Sequence, residues 1–273
     1  MRVQCHIPRD LSGPTEYHVL MAVDLSTGRE VLIGLAGLGA GIINGIAGGG
    51  SLVSFPALLA VGYPALQANV TSTVGIWPGY LGGVAGFTAE LRGQRDRLLG
   101  VGVAVLTGSI AGGVILLTTP SSAFAAVAPV LVLFASALFA VQPLLARRLR
   151  AEQTSRSHRV ALQIGAFLAS AYGAYFGAGL GVVLLAVLGS CIPDRLVRIN
   201  GLRSMLSLII NTIAALIFVA DGRVGWIAAG LLAGGSLLGG YAGARLSRAV
   251  PTVVLRTVVI GLGLLTGIKL LAG

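Results

Sequence analysis

The sequence predicts an all-α polytopic membrane protein of about eight transmembrane segments, in two four-segment repeats with interrupted first helices. Three observations carry that expectation. Of 273 residues, 55% are hydrophobic and only 10% charged, and the mean hydropathy is +0.91, outside the range of soluble domains. The apolar residues fall in runs long enough to cross roughly 30 Å of hydrocarbon, separated by short arginine-bearing connections. Two of the runs approach thirty residues and contain glycine clusters; at about 1.5 Å per residue they are too long for one upright helix.

Residues 1–30 form a polar N-terminal arm with charges at Arg2, Arg9, Asp10, Glu16, Asp24, Arg29 and Glu30, unlike a cleavable signal. Met21 is an alternative start, which would make residues 1–20 an extension. The first repeat, 31–145, holds apolar runs at 31–61, 67–91, 98–118 and 123–145. Its first run must tilt, break or fold back at Gly48-Gly49-Gly50. A basic linker follows at 146–159. The second repeat, 160–273, holds runs at 160–190, 199–220, 224–244 and 251–272. Gly41-x-x-x-Gly45 has a counterpart in Gly173-x-x-x-Gly177, each followed by further glycines, and Asn69 lies 24 residues after Gly45 as Asn200 lies 23 after Gly177. Duplicated transporter halves place interrupted helices at corresponding positions. Four full spans per half give parallel repeats; a re-entrant first segment gives inverted ones.

An even count puts both termini on one side, together with Arg92 to Arg97, Arg147 to Arg159 and Asp221 to Arg223. The opposite connections, Tyr63-Pro64 and Thr118 to Ser122, carry no charge. The positive-inside bias then predicts cytoplasmic termini in the cell membrane, with Arg195, Arg198, Arg245, Arg248 and Arg256 on the other side against the trend. The 41 glycines suit close packing of transmembrane helices.

A broken helix frees backbone groups that lipid cannot satisfy, so it is tolerated only where protein or a polar cavity meets them. The candidate site is therefore the first break, Gly48, Gly49, Gly50 and Ser51, with the polar cluster Asn69, Thr71 and Ser72. The second break supplies Gly177, Gly179 and Gly181, with Asn200 and Arg203. Ser51 stands where it can cap a new half-helix, and Asn69 and Asn200 where each can cap the next helix of its half. Three converging helix N-termini would make an anion cradle from backbone N–H groups. Arg203, about one turn into the sixth run, could hold an oxyanion through paired donors. Bland readings stay open beside these. The glycines serve equally for close helix crossing, the hydroxyls for bonds to their own helices, and Arg203 for snorkelling beside Arg195 and Arg198. Pro56 and Trp77-Pro78 mark bends, and Tyr63, Tyr172, Tyr175, Tyr241 and Trp226 read as interface or packing residues.

All three histidines and all nine acidic residues lie in the arm, the connections or run ends, with Glu90 the deepest. A carboxylate-built cation site and a titrating proton relay are thus disfavoured, and no catalytic residue, metal site or cofactor is expected. Cys5 and Cys191 make neither a disulfide framework nor a thiolate cage. A net charge of +10 would suggest nucleic acid for a soluble protein, but here the arginines sit between apolar runs and speak of membrane orientation. The expected partners are the lipid bilayer and a small anionic substrate, with no nucleic acid and room for a homo-oligomer. The alternative function is a non-transporting membrane scaffold or assembly factor.

The same residues carry a family resemblance. Gly41-x-x-x-Gly45-x-x-Gly48-Gly49-Gly50-Ser51 with Pro56-x-Leu58-Leu59 and Ala68-Asn69-x-Thr71-Ser72 resembles the first repeat of the sulfite exporter TauE/SafE family. Tyr175-Phe176-Gly177-Ala178-Gly179-Leu180-Gly181 and Arg198-Ile199-Asn200-Gly201-Leu202-Arg203-Ser204 resemble its second repeat. The resemblance covers about 31 to 272 and implies a cytoplasmic-membrane carrier that moves small sulfur-containing or organic anions, such as sulfite or sulfoacetate, usually outward. Related thiosulfate uptake proteins are thought to use pathway cysteines; here only Cys191 is placed for that. The polar arm is a departure from the family pattern.

Overall fold

Apolar sequence in lipid must satisfy its backbone internally, and the runs become helix throughout. The computed structural model describes residues 27–46, 48–151, 159–246 and 252–272; the predicted arm up to residue 26 and the linker at 152–158 lie outside them. The described helices are α1 Thr27–Ile46, α2 Ser51–Ala60, α3 Ala65–Ala85, α4 Thr88–Leu91, α5 Arg95–Thr118 and α6 Ser121–Ala151, then α7 Arg159–Tyr175, α8 Leu180–Cys191, α9 Leu196–Asp221, α10 Trp226–Leu246 and α11 Thr252–Ala272. Four stretches, Thr27–Ile46, Arg95–Thr118, Ser121–Leu144 and Leu196–Asp221, are long and apolar enough to cross a membrane. The run at 146–159 is not all linker, since α6 continues to Ala151 and α7 starts at Arg159.

Both long runs fold back. Gly50 N–H donates to Asn44 Oδ1 at 2.7 Å, and a Cβ built on Gly39 would lie 3.7 Å from Val53 Cγ1, so α2 returns along α1. Likewise Leu180 packs against Gly173 and Val187 against Gly165, so α8 returns along α7. Each reversal needs a left-handed residue: Gly48 has φ +77°, and Gly177 and Gly179 have φ +78° and +75°, a region where a side chain costs energy.

Glycine also fixes the scaffold. Where a Cβ would stand on Gly235, Gly239 and Gly243 of α10, the carbonyl oxygens of Gly34, Leu38 and Ile42 lie 2.3, 2.1 and 2.4 Å away. The four-residue spacing on both helices makes α1 and α10 a parallel pair in backbone contact. Gly75, Gly79 and Gly82 bring α3 onto α10 in the same sense, meeting Leu232, Ser236 and Tyr241. Gly108 and Gly112 of α5 meet the Phe167 and Ala171 oxygens of α7 at 2.4 and 2.0 Å, a second parallel pair. Helix α9 runs beside them and antiparallel to α3, with Gly201 against Phe87 and Glu90, and Trp77 Nε1 donating to Thr212 Oγ1 at 2.8 Å. Helices α6 and α11 pair antiparallel, with Gly263 on Ser136 and Gly267 on Leu133.

These directions gather the ends of the helices. One end of the molecule carries the starts of α5, α7 and α9, with Arg92, Arg95, Arg97, Arg159, Arg195 and Arg198; Arg97 and Arg198 both bind Asp194, the latter at 3.0 Å. The opposite end carries the start of α1, the end of α11 and the Asp221-Gly222-Arg223 turn, whose Arg223 reaches Leu117 O at 3.1 Å. Of the three connections expected beside the outer ends of the helical core, the Asp221-Gly222-Arg223 turn lies there, whereas Arg92 to Arg97 and the start of α7 lie at the other end. Each hairpin enters and returns where the sequence count had one through-going span, which reverses the direction of every later helix. Leu99, Val103, Leu106, Ile110 and Val114 form an exposed apolar stripe along α5, the face that lipid covers.

Candidate functional site

The two hairpin tips meet. Gly181 N–H, in the first turn of α8, donates to Gly48 O at 3.0 Å, and a Cβ on Gly48 would lie 2.7 Å from Gly181 Cα. Ser51 faces Gly177, 3.5 Å from where its Cβ would be. Phe139 of α6 covers Gly49, and Ala135 lies beside Gly179. Phe55 and Phe176, one from each hairpin, pack edge to face with centroids 5.4 Å apart.

Against the Gly48 tip sits Arg203. It is 1% exposed and is the largest side chain buried so completely. It lies seven residues into α9, roughly 10 Å from that helix's start, so it does not snorkel. Its Nη1 is 3.1 Å from where a Cβ on Gly48 would stand. The surrounding cavity is lined by Asn44, Gly48, Tyr80, Gly83, Arg203, Ser204 and Ser207. Tyr80 turns its hydroxyl toward Asn44, Asn211 and Arg203. Cations inside the hydrocarbon region are costly and are kept for function; here the guanidinium is surrounded by hydroxyl and carboxamide groups that can complete the shell of an oxyanion. The cavity has a volume of about 10 Å³, space for roughly one water, so an anion of several atoms enters only if the tips or α9 shift.

Of the residues singled out from sequence, Gly48 and Arg203 line this cavity, and Gly49, Gly50, Ser51, Gly177, Gly179 and Gly181 build the tips beside it. The polar cluster does other work. Asn69 Nδ2 donates to Tyr175 O at 2.9 Å, closing the C-terminal end of α7 across the hairpin boundary. Thr71 Oγ1 accepts from Gly225 N–H at 2.9 Å, and Ser72 Oγ bonds Ser54 Oγ at 2.6 Å. Asn200 is half-buried in α9. Neither asparagine is a cap, because α3 begins at Ala65 and α9 at Leu196, after Pro64 and Arg195 respectively. Ser51 is likewise the first helical residue behind a Gly50 cap. The backbone cradle is mostly closed internally: Gly50 N–H binds Asn44, Gly181 N–H binds Gly48, and Leu180 N–H binds Gly177 O at 3.2 Å. Side chains, more than free amides, face the cavity.

Asn44, Tyr80, Ser204 and Ser207 were not singled out by sequence. Asn44 had a signal, as the one polar side chain between Val31 and Ala47; Tyr80 was hidden among apolar neighbours. Cys191 ends α8, ten residues beyond Gly181 and roughly 15 Å along that helix from the tip.

Helices of membrane-crossing length and composition, folded around two re-entrant hairpins with a buried cationic cavity where the tips meet, describe the class of helical membrane transporters. The sequence places the chain within that class. A family model described as Sulfite exporter TauE/SafE matches residues 33–270, and the chain belongs to that family. It is similar to a probable membrane transporter protein of Haemophilus influenzae, 23% identical over 87% of this chain and 92% of that one. It is also similar to the probable membrane transporter protein YfcA of Escherichia coli K12, 24% identical over 85% and 86%, and to the probable membrane transporter protein ORF9 of a Sinorhizobium species, 26% identical over 85% and 88%. No solved structure matches it.

Proposed function

We propose that this transporter exports a small sulfur-containing or organic oxyanion of the sulfite or sulfoacetate type, binding it at Arg203 where the hairpin tips meet. The observation that carries this reading is a guanidinium 1% exposed, against a glycine tip and among neutral hydrogen-bonding side chains. The family description supports the substrate class. With the cytoplasm negative, each exported negative charge gains about 2.3 kcal/mol per 100 mV, so outward movement needs no titrating relay.

The eight segments form two inverted repeats, α1 to α6 and α7 to α11, each a hairpin followed by three helices with α4 as a short insert. Four correspondences support this. Gly48 and Gly177 have matching φ and each lies two residues past its helix. Asn69 and Asn200 are each the fifth residue of the following helix. The α1 with α10 contact has its counterpart in α7 with α5. Helices α1 and α7 run in opposite directions, as an axis in the membrane plane demands. The charge bias makes the arginine-rich end cytoplasmic, which sets Thr27 and Ala272 at the outer face and opens the Arg203 cavity nearer the cytoplasm, the loading side for export.

The test is efflux of labelled sulfite or sulfoacetate from proteoliposomes under an imposed potential, in wild type and Arg203→Met. Efflux that rises with the potential and is lost in the variant supports the proposal. Efflux indifferent to both, or none for any small anion, sinks it in favour of the scaffold reading.

A further inference from the structure

Asn44 stands out in the cavity because both ends of its carboxamide can be assigned. Its oxygen accepts from Gly50 N–H at 2.7 Å, so the nitrogen must be the end that points away from the tip. The side chain is 6% exposed, and Nδ2, fully buried, makes no hydrogen bond of ordinary length and angle; the Tyr80 hydroxyl comes close enough to interact with it but can accept from at most one of its two N–H groups. A buried donor left without an acceptor weakens a fold, and such groups in native proteins call for an explanation. Here the unsatisfied donor belongs to a residue that lines the same cavity as Arg203.

We propose that Asn44 is a ligand-recognising residue, its Nδ2 donating to an oxygen of the small oxyanion held at Arg203. This rests on the reading that the cavity takes an oxyanion and adds the residue that fixes the anion's orientation. A point charge attracts any anion, whereas a directed N–H selects one that presents an oxygen at the right place. The same amide holds Gly50, so ligand, Asn44 and the first hairpin tip form one hydrogen-bonded chain. Binding then stiffens the tip that meets Gly181, which links occupancy to the contact that must open for passage.

Asn44→Asp separates recognition from the cap. It keeps an oxygen for Gly50 N–H at almost unchanged volume, removes both Nδ2 donors and places a negative charge before the anion. The measurement is thermal stabilisation of the full-length purified protein by sulfite and by sulfoacetate, with chloride as the spherical control. We expect the ligand-free melting temperature of Asn44→Asp to stay close to wild type while the apparent affinity for both oxyanions falls about tenfold or more, as loss of a bond to a charged group implies. Asn44→Leu, close in volume and without donor or charge, gives up the Gly50 cap as well but should show the same loss of affinity, and serves if the aspartate variant does not fold. Affinities within about twofold of wild type in the folded variants overturn the role of Asn44 while leaving the oxyanion reading intact. A wild type stabilised by neither oxyanion overturns both.

Discussion

Replacing Gly48 with alanine tests the tip-to-tip contact most directly, because two separable costs fall on one Cβ. The first is conformational: φ is +77°, and an L-residue in the left-handed region costs about 1–2 kcal/mol. The second is steric, since the new methyl would stand 2.7 Å from Gly181 Cα and 3.1 Å from Arg203 Nη1, and overpacking of this kind costs about 1–3 kcal/mol more. Gly93, in the connection before α5, provides the control. Its φ is +73°, and a Cβ there meets nothing within 4 Å, so Gly93→Ala carries the conformational cost alone. At about 2–4 °C per kcal/mol for a chain of this size, Gly48→Ala should melt a few degrees below Gly93→Ala in detergent. It should also lose oxyanion efflux, because the methyl pushes on the guanidinium, while Gly93→Ala keeps it. Equal melting temperatures and equal efflux would refute the claim that the hairpins touch at Gly48.

Gly239→Leu should abolish monodisperse protein on size-exclusion chromatography, since its Cβ would lie 2.1 Å from Leu38 O, whereas Gly234→Leu, which meets nothing within 4 Å, should be tolerated. Asn69→Ala should cost about 1–3 kcal/mol in thermal unfolding, because it leaves the Tyr175 carbonyl without its donor. At the basic end, burial alone would push the Asp194 carboxyl up, but hydrogen bonds from Arg97, the Arg195 N–H and Arg198 outweigh it and hold the carboxyl below its ordinary 3.8. A depressed folded value gives stabilisation that is present above the unfolded value and lost as pH falls through the folded one. The melting temperature should therefore drop as pH is taken below about 4, and less steeply in Asp194→Asn.

Where helices stop could be read from the sequence, and which way the chain turns afterwards could not. A glycine cluster in an apolar run marks a break because no other residue relaxes the backbone so cheaply. Whether the chain then continues or reverses depends on which helix the next turn packs against, and α2 has only ten residues with which to announce it. That one ambiguity placed the outer ends of the core opposite the Arg92 to Arg97 and Arg195 to Arg198 connections. The register of the repeat slipped for a related reason. Gly41 and Gly45 share the spacing of Gly173 and Gly177, yet Gly41 is a packing glycine, 2.3 Å from Ser236 O at its missing Cβ, and in the proposed repeats the counterpart of Gly177 is Gly48. Asn69, Thr71 and Ser72 read from the sequence as candidate anion ligands, and in the structure they bond Tyr175, Gly225 and Ser54 instead. Sequence spacing could not distinguish such structural bonds from ligand bonds. Arg203 left two readings open in the sequence, an oxyanion holder and a snorkelling cation, and it is its burial at 1% exposure that excludes the second.

The contrast between scaffold and tips says where movement is cheapest. Helices α1 and α10 touch backbone to backbone along at least three turns, as α5 and α7 do along a shorter stretch, and separating either pair exposes a continuous tight surface for no compensating contact in lipid. Among the described residues the tips are joined by one backbone hydrogen bond, Gly181 to Gly48, whose net worth is about 1 kcal/mol, by the Phe55–Phe176 ring pair and by glycines that bury little area of their own. Parting them frees one carbonyl and one N–H beside Arg203, and that N–H belongs to the first turn of α8, where the helix dipole favours an anion. If Arg203 holds an oxyanion as proposed, that anion would replace the Gly48 carbonyl as the partner of Gly181. On that reading the Gly181 N–H, which the closed tips commit to Gly48 O, would become available only when the site opens to a ligand.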